Sequence, residues 1–274
     1  MRTLRACISI FRIKAAEGMQ YRMAGLAGAS TSIFWALIEI VVYTIFYKYA
    51  DAHDSAVAAG FSLKQLISYI WLRQMLMALQ PFSIDGDLLN MINRGDIGVE
   101  MCRPLDLYSN WFARTAASRL SPLLCRGMPV IIFGAVMPEA FRLSPPASLI
   151  SFICFVFSTL SALLLCTSFG MLANSLRLSI NWGDAPSYMI MTIGGVLSGN
   201  FLPLQLWPEF MRDFLLLQPF AGFLDIPLRF YLGTLAPGNI FWTLGLQTAW
   251  SLVFIAAGQV LTAGKLKNVI VQGG

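Results

Sequence analysis

The sequence predicts an all-α polytopic membrane protein, and three observations carry that expectation. Of its 274 residues, 57% are hydrophobic and only 12% are charged, against about 25% charged in soluble globular domains. Mean hydropathy is +0.67, more apolar surface than a water-soluble core of this size can enclose. Six apolar stretches recur along the chain, each near the ~20 residues that a helix needs to cross a bilayer. Hydrocarbon offers backbone N–H and C=O groups no partners, so a span must satisfy them internally. No alternating barrel-strand pattern occurs, which leaves helices.

The first 22 residues mix Arg2, Arg5, Arg12, Lys14, Glu17 and Arg22 with apolar side chains, unlike the continuous apolar run of a cleavable signal peptide. Leu4, Ile8, Phe11, Ala15 and Met19 recur at helical spacing. That pattern predicts an amphipathic helix over 1–22, lying in the membrane interface with a turn near Gly18. Spans are expected at 23–47, 61–79, 120–137, 148–172, 186–202 and 239–263, in a single transmembrane domain over 1–274.

Orientation follows from basic residues in the connections. With the N-terminus inside, Arg2, Arg5, Arg12, Lys14, Arg22, Arg94, Arg103, Arg114, Arg119, Arg177, Lys265 and Lys267 are cytoplasmic, whereas Lys48, Lys64, Arg142, Arg212 and Arg229 are external. Twelve against five places both termini in the cytoplasm. The net charge of +5 therefore belongs to membrane topology, and no nucleic-acid partner is expected. Cys7, Cys102, Cys125, Cys154 and Cys166 show no paired spacing and read as small buried hydrophobes. His53, between Asp51 and Asp54, reads as part of a solvated loop, and no metal site is expected.

Two connections depart from the ordinary. Residues 84–104 are charged and turn-rich. Ile84, Leu88, Met91 and Ile92 fall on one helical face, Asp85 and Asp87 favour the N-terminal dipole, and Arg94 with Gly95 suits a C-terminus. These features predict a short cytoplasmic helix over 85–94. A turn over 96–98 and a second short element ending before Pro104 follow, with Asp106 capping the next helix. Such a helix either merely returns the chain to the membrane or docks in a groove of a soluble partner. Residues 199–238, expected outside, remain apolar, and Pro203, Pro208, Pro219 and Pro227 divide them into pieces of one to three turns. Short helices dipping back into the outer leaflet suit that composition.

Charges within spans need partners or water, because each costs several kcal/mol in hydrocarbon. Glu39 and Arg73 lie at depths that permit an ion pair. Structural pairing and lining of a polar path both remain open for them. Arg126, between Pro122 and Pro129, is expected to snorkel. Gly195 and Gly199 form a small-xxx-small pair on the fifth span, suited to packing within one chain or to a dimer seam. Phe34, Trp35, Trp71, Trp207 and Trp242 fit interfacial or cavity-lining positions.

Three stretches then carry a resemblance. YRMAGLAGASTSIFWALIEIVVYTIFY, DLLNMINRGDIGVEMCRPLDLYSNWFA and VLSGNFLPLQLWPEFMRDFLLLQPFAGFLDIPLRFYLG resemble, in order, the first span, the cytoplasmic segment and the external re-entrant region of type 2 ATP-binding-cassette (ABC) exporter permeases, in their six-span branch. The resemblance implies a coupling helix in the segment after span two. By it, Asp85, Asp87, Leu88, Met91, Ile92, Arg94, Gly95, Ile97, Glu100, Arg103 and Pro104 meet an ATPase. If the intramembrane charges line a path, Glu39 and Arg73, with the aromatics Phe34 and Trp35, are its candidate residues, and the resemblance places Gly199, Pro203, Pro208, Glu209 and Pro219 in the re-entrant segment.

The sequence holds no GxxxxGK[ST] phosphate cradle. The resemblance accordingly implies two copies of a separate ABC ATPase, which carry the ATP and Mg, so that this chain itself binds no cofactor. It further implies a second permease chain, identical or paralogous, surrounding lipid, and a prokaryotic inner membrane. A small amphipathic or cationic compound, drug or lipid is the expected cargo. A secondary transporter or channel using Glu39 and Arg73 is the alternative. An integral-membrane enzyme needs convergent nucleophiles, acids or metal ligands, and one histidine with scattered carboxylates supplies no such set.

Overall fold

Residues 2–20, 22–52, 61–79, 106–179 and 185–266 are described by a computed structural model, and every regular element among them is helical. In chain order these are α1 (Arg2–Gln20), α2 (Arg22–Ala52), α3 (Leu63–Met75), α4 (Leu107–Cys125), α5 (Gly127–Val136), α6 (Leu149–Ser179), α7 (Ala185–Leu197), α8 (Glu209–Leu217), α9 (Asp225–Leu232) and α10 (Ile240–Leu266). Short 3-10 turns at Leu76–Leu79, Leu204–Leu206, Pro219–Phe223 and Pro237–Asn239 join them.

Among the described residues, four stretches are long and apolar enough to cross a membrane: Met23–Tyr49, Leu107–Val136, Leu149–Leu176 and Pro237–Gly264. They coincide, to within a residue or by extending further, with the first, third, fourth and sixth expected spans. The third starts at Leu107, well before residue 120, because Asp106 caps it. The Asp106 carboxylate accepts from the Ser109 N–H at 2.8 Å and from the Ser109 hydroxyl at 2.6 Å. Arg114 and Arg119 lower the hydropathy of that first half and hide it from an apolarity reading.

The second and fifth expected spans are shorter. At ~1.5 Å per α-helical and ~2.0 Å per 3-10 residue, α3 with its 3-10 turn rises about 28 Å and α7 about 20 Å. α3 is opened by a capping box between Ser62 and Gln65, and its residues from Leu66 to Gln74 are all buried. Enclosed by other helices, α3 can carry Ser68, Tyr69, Arg73 and Gln74 without meeting lipid. α5 runs antiparallel to it: Cβ atoms added at Gly134 and Gly127 would stand 2.8 Å from Trp71 and 3.0 Å from Met75. Trp71 donates to the Phe141 carbonyl at 2.8 Å, and the Ser144 N–H donates to the Ser68 hydroxyl at 2.9 Å.

α6 and α10 run parallel. Ser175 and Thr262 hydroxyls lie 2.8 Å apart, and further back along both helices Gln247 donates to the Ser158 carbonyl at 3.3 Å. The Gln247 amide also donates to the Gly222 carbonyl at 2.8 Å, which ties both helices to the Pro219–Phe223 turn.

Two local expectations change. α1 does not turn at Gly18: it continues to Gln20, and α2 begins at Arg22. α1 instead lies along α4 in the same direction, with the Cys7 thiol 3.9 Å from the Ser109 carbonyl and the Ser121 hydroxyl donating to the Ala15 carbonyl at 3.1 Å. Gly18 permits that approach, since a Cβ there would fall 2.6 Å from Ser121. Of the predicted apolar face, Phe11 and Ala15 are half-buried and Ile8 and Met19 are exposed. Arg126 sits at a break in the helix. Pro129 cannot donate to the Cys125 carbonyl, so the helix breaks between α4 and α5. There Arg126 Nε and Nη2 donate to the Ser32 hydroxyl at 2.9 and 2.6 Å. Finally, Gly199 is no packing partner of Gly195 within a span; it ends α7.

Candidate functional site

Tyr69 and Arg73 stand one turn apart on the same face of α3, and that face meets the turn after α7. The turn is a Schellman motif: Asn200 N–H donates to the Gly195 carbonyl at 3.2 Å and Gly199 N–H to the Val196 carbonyl at 3.4 Å, with Gly199 at φ +82°. The Tyr69 hydroxyl reaches the Gly199 carbonyl at 2.9 Å. Arg73 donates to the Asn200 carbonyl and to the Glu39 carboxylate on α2. Only glycine fits at 199. Besides its positive φ, an added Cβ would stand 2.5 Å from the Tyr69 oxygen.

The same hydroxyl lies 3.2 Å from Asp225 Oδ1, which also accepts from the Leu204 N–H at 3.2 Å. Asp225 opens α9, is fully buried, and has Arg229 3.9 Å away one turn on. Burial pushes its carboxyl above the usual carboxylate range. The Arg229 charge, the Leu204 N–H and the Tyr69 hydroxyl act against that rise. One buried chain of polar contacts thus joins α2, α3, the α7 turn, the Leu204–Leu206 turn and α9.

Of the four pathway candidates, the structure joins Glu39 to Arg73. Their exposures differ: the Arg73 side chain is 9% exposed and the Glu39 side chain 29%. Phe34 and Trp35, at 61% and 53% exposure, lie on the outward face of α2, one turn from Glu39 and away from Arg73. Tyr43, another turn along, approaches the carbonyl of the exposed Phe201 at 3.5 Å. Trp35, Glu39 and Tyr43 therefore form one stripe with spacing of four.

In the 199–238 segment, Pro203 precedes Leu204–Leu206, Pro208 precedes α8, whose first residue is Glu209, and Pro219 begins Pro219–Phe223. α8 exposes Phe210 and Phe214, while Gln218 after it donates to the Leu197 carbonyl at 2.8 Å. The ATPase-coupling candidates Asp85, Asp87, Leu88, Met91, Ile92, Arg94, Gly95, Ile97, Glu100, Arg103 and Pro104 lie outside the described residues, as does His53. A cavity of about 370 Å³ opens elsewhere, where Lys14, Gly18, Gly25, Gly28, Ser118 and Arg126 bring α1, α2 and α4 together.

Sequence reasoning missed Tyr69, Asn200, Asp225 and Gln247. For two of them a signal existed: Tyr69 precedes Arg73 by one turn, and Asp225 is a lone carboxylate in the apolar run FAGFLDIPL. The carbonyls of Gly199 and Asn200 carry no side-chain signature. The arrangement is built on side-chain contacts between helices and turns distant in sequence. Its chemistry is recognition of backbone carbonyls and burial of paired charge, which fixes helices relative to one another. A family model described as ABC-2 family transporter protein matches residues 33–265, from α2 to the end of α10. No curated protein matches the chain.

Proposed function

The chain belongs to the ABC-2 transporter family, and from that premise we propose that it is the permease subunit of an exporter powered by a separate ATPase. Membership makes it a multi-pass membrane component of an ABC transporter, a class that works with an ABC ATPase. Export, cargo and subunit count are the further steps of the proposal. Two permease chains, identical or paralogous, enclose a path in the inner membrane of a prokaryote, with both termini cytoplasmic. Two ATPase copies grip residues 84–104, and their closure on ATP shifts the path between inward- and outward-facing states. The cargo is a small amphipathic or cationic compound, drug or lipid.

The observation that carries the path is the exposure of Glu39. A carboxylate near the middle of a crossing helix costs several kcal/mol against hydrocarbon, yet 29% of this side chain is uncovered. Arg73 supports it from behind. That face of α2, with Phe34, Trp35 and Glu39, supports a partner chain or hydrated path as its neighbour. Glu39 is the group that attracts a cationic cargo, and the aromatics are its apolar contact.

Purification from native membranes in mild detergent tests the motor half. A P-loop ATPase is expected to accompany the chain. Leu88→Asp combined with Ile92→Asp is expected to release it while the permease stays folded. An ATPase retained by that double variant removes the coupling role from 84–104. Glu39→Gln, assembled normally but exporting at the wild-type rate, removes Glu39 from the path.

A further inference from the structure

We propose that Tyr69 and Arg73 are positioning residues through which α3 carries motion to the external segment over 199–232. The inference rests on the ATP-driven reading, because it concerns how displacement at one end of the chain reaches the other. α3 and its 3-10 turn end at Leu79, and in sequence the proposed coupling segment follows within five residues. From its middle to its last turn, α3 leans on no single neighbour. Tyr69 and Arg73 grip two successive carbonyls, Gly199 and Asn200, of the turn that ends α7. Asp225 extends the grip to α9 and to the Leu204–Leu206 turn through one carboxylate oxygen. Gln218 fastens the end of α8 to Leu197, two residues before Gly199.

These bonds transmit because breaking them is unfavourable at this depth. Tyr69 and Asp225 are 1% and 0% exposed, so water cannot replace a partner that moves away. Gly199 adds a steric stop: the Tyr69 oxygen is seated where a Cβ would be, and the turn cannot slide along α3 without meeting it. When α3 shifts along its axis, the 199–200 turn, the Leu204–Leu206 turn and α9 must follow together. The outer end of the path then opens or closes in step with the motor. Gln247 also fastens the external pieces, through the Gly222 carbonyl, but from α10, which does not lead into the coupling segment. That contrast separates transmission from mere stability.

The test places spin labels at Leu149 and Phe210, which are 76% and 82% exposed, in the permease–ATPase complex purified from native membranes. The distance between them is measured without nucleotide and after trapping with ATP and vanadate. Tyr69→Phe is expected to keep most of the ATPase rate and lose more than half of the wild-type distance change. Asp225→Asn, which retains an acceptor oxygen for Tyr69 and Leu204, is expected to keep most of the change. Gln247→Leu is expected to lower thermal stability and leave the change intact. A full change in Tyr69→Phe overturns the inference, as does an equal loss in Gln247→Leu, which makes the effect one of stability alone. A wild-type complex with no nucleotide-dependent change overturns the motor reading itself, and this inference with it.

Discussion

At one end of the bundle, α3 holds the turn after α7, the 138–147 connection and α9 through side-chain hydrogen bonds between elements distant in sequence. At the other, α1 and the start of α2 meet α4 through small residues. Gly18 and Gly25 lie against Ser121 and Cys125, the Ser121 hydroxyl donates to the Ala15 backbone, and a cavity of about 370 Å³ remains between the helices. The first region is dense in buried polar bonds whose donors and acceptors are fixed by geometry. The second depends on close approach and leaves room. A transporter needs both kinds of region, because motion transmitted to a distant point requires stiff joints, whereas the helices that move require interfaces that can be re-formed at low cost. The difference locates the stiff joint around Tyr69 and the yielding contact around α1 and α4.

Removing the shared carboxylate is the most severe way to break that contrast. Asp225→Ala leaves the buried Leu204 N–H without its acceptor and takes away the counter-charge 3.9 Å from the mostly buried Arg229. The expected loss is about 3–5 kcal/mol, read as poor yield and an early melting transition in detergent. Gly199→Ala comes next. A left-handed alanine and its crowding against Tyr69 together cost about 2–4 kcal/mol, measurable by thermal unfolding. Gln247→Leu removes a tie between α10, α6 and the Pro219–Phe223 turn, where such bonds contribute about 1 kcal/mol. Ser118→Ala, on the cavity side of α4, is expected to change stability by less than about 0.5 kcal/mol. Equal losses from Ser118→Ala and Gly199→Ala would erase the distinction between the two ends.

Much of this fold is legible in the sequence because hydropathy and capping are local. The apolar runs of α2, α6 and α10 announce themselves, and Asp106 is readable as a cap because its partner, Ser109, is three residues away. The prolines at 203, 208 and 219 mark element starts for the same reason. α3 is harder to place, since a helix enclosed by others is free to be polar and its sequence does not say what encloses it. The Glu39–Arg73 pair can be anticipated from depth alone, because two buried charges of opposite sign demand each other. Tyr69 and Asp225 cannot be joined in this way. They are 156 residues apart, and each alone reads as an ordinary aromatic or an ordinary helix-initiating acid. Gly199 misleads because a glycine four residues after another glycine reads equally well as a packing notch and as a helix terminator. Only its positive φ decides.

The most direct test of the account is contact between residues 84–104 and a motor. A photoreactive amino acid placed at Leu88 in living cells, followed by illumination and mass spectrometry of the adducts, reads that contact whatever the cargo is. The account predicts a covalent adduct with a P-loop ATPase. Adducts formed only with lipid or with this chain itself, in cells that contain the assembled complex, would contradict it.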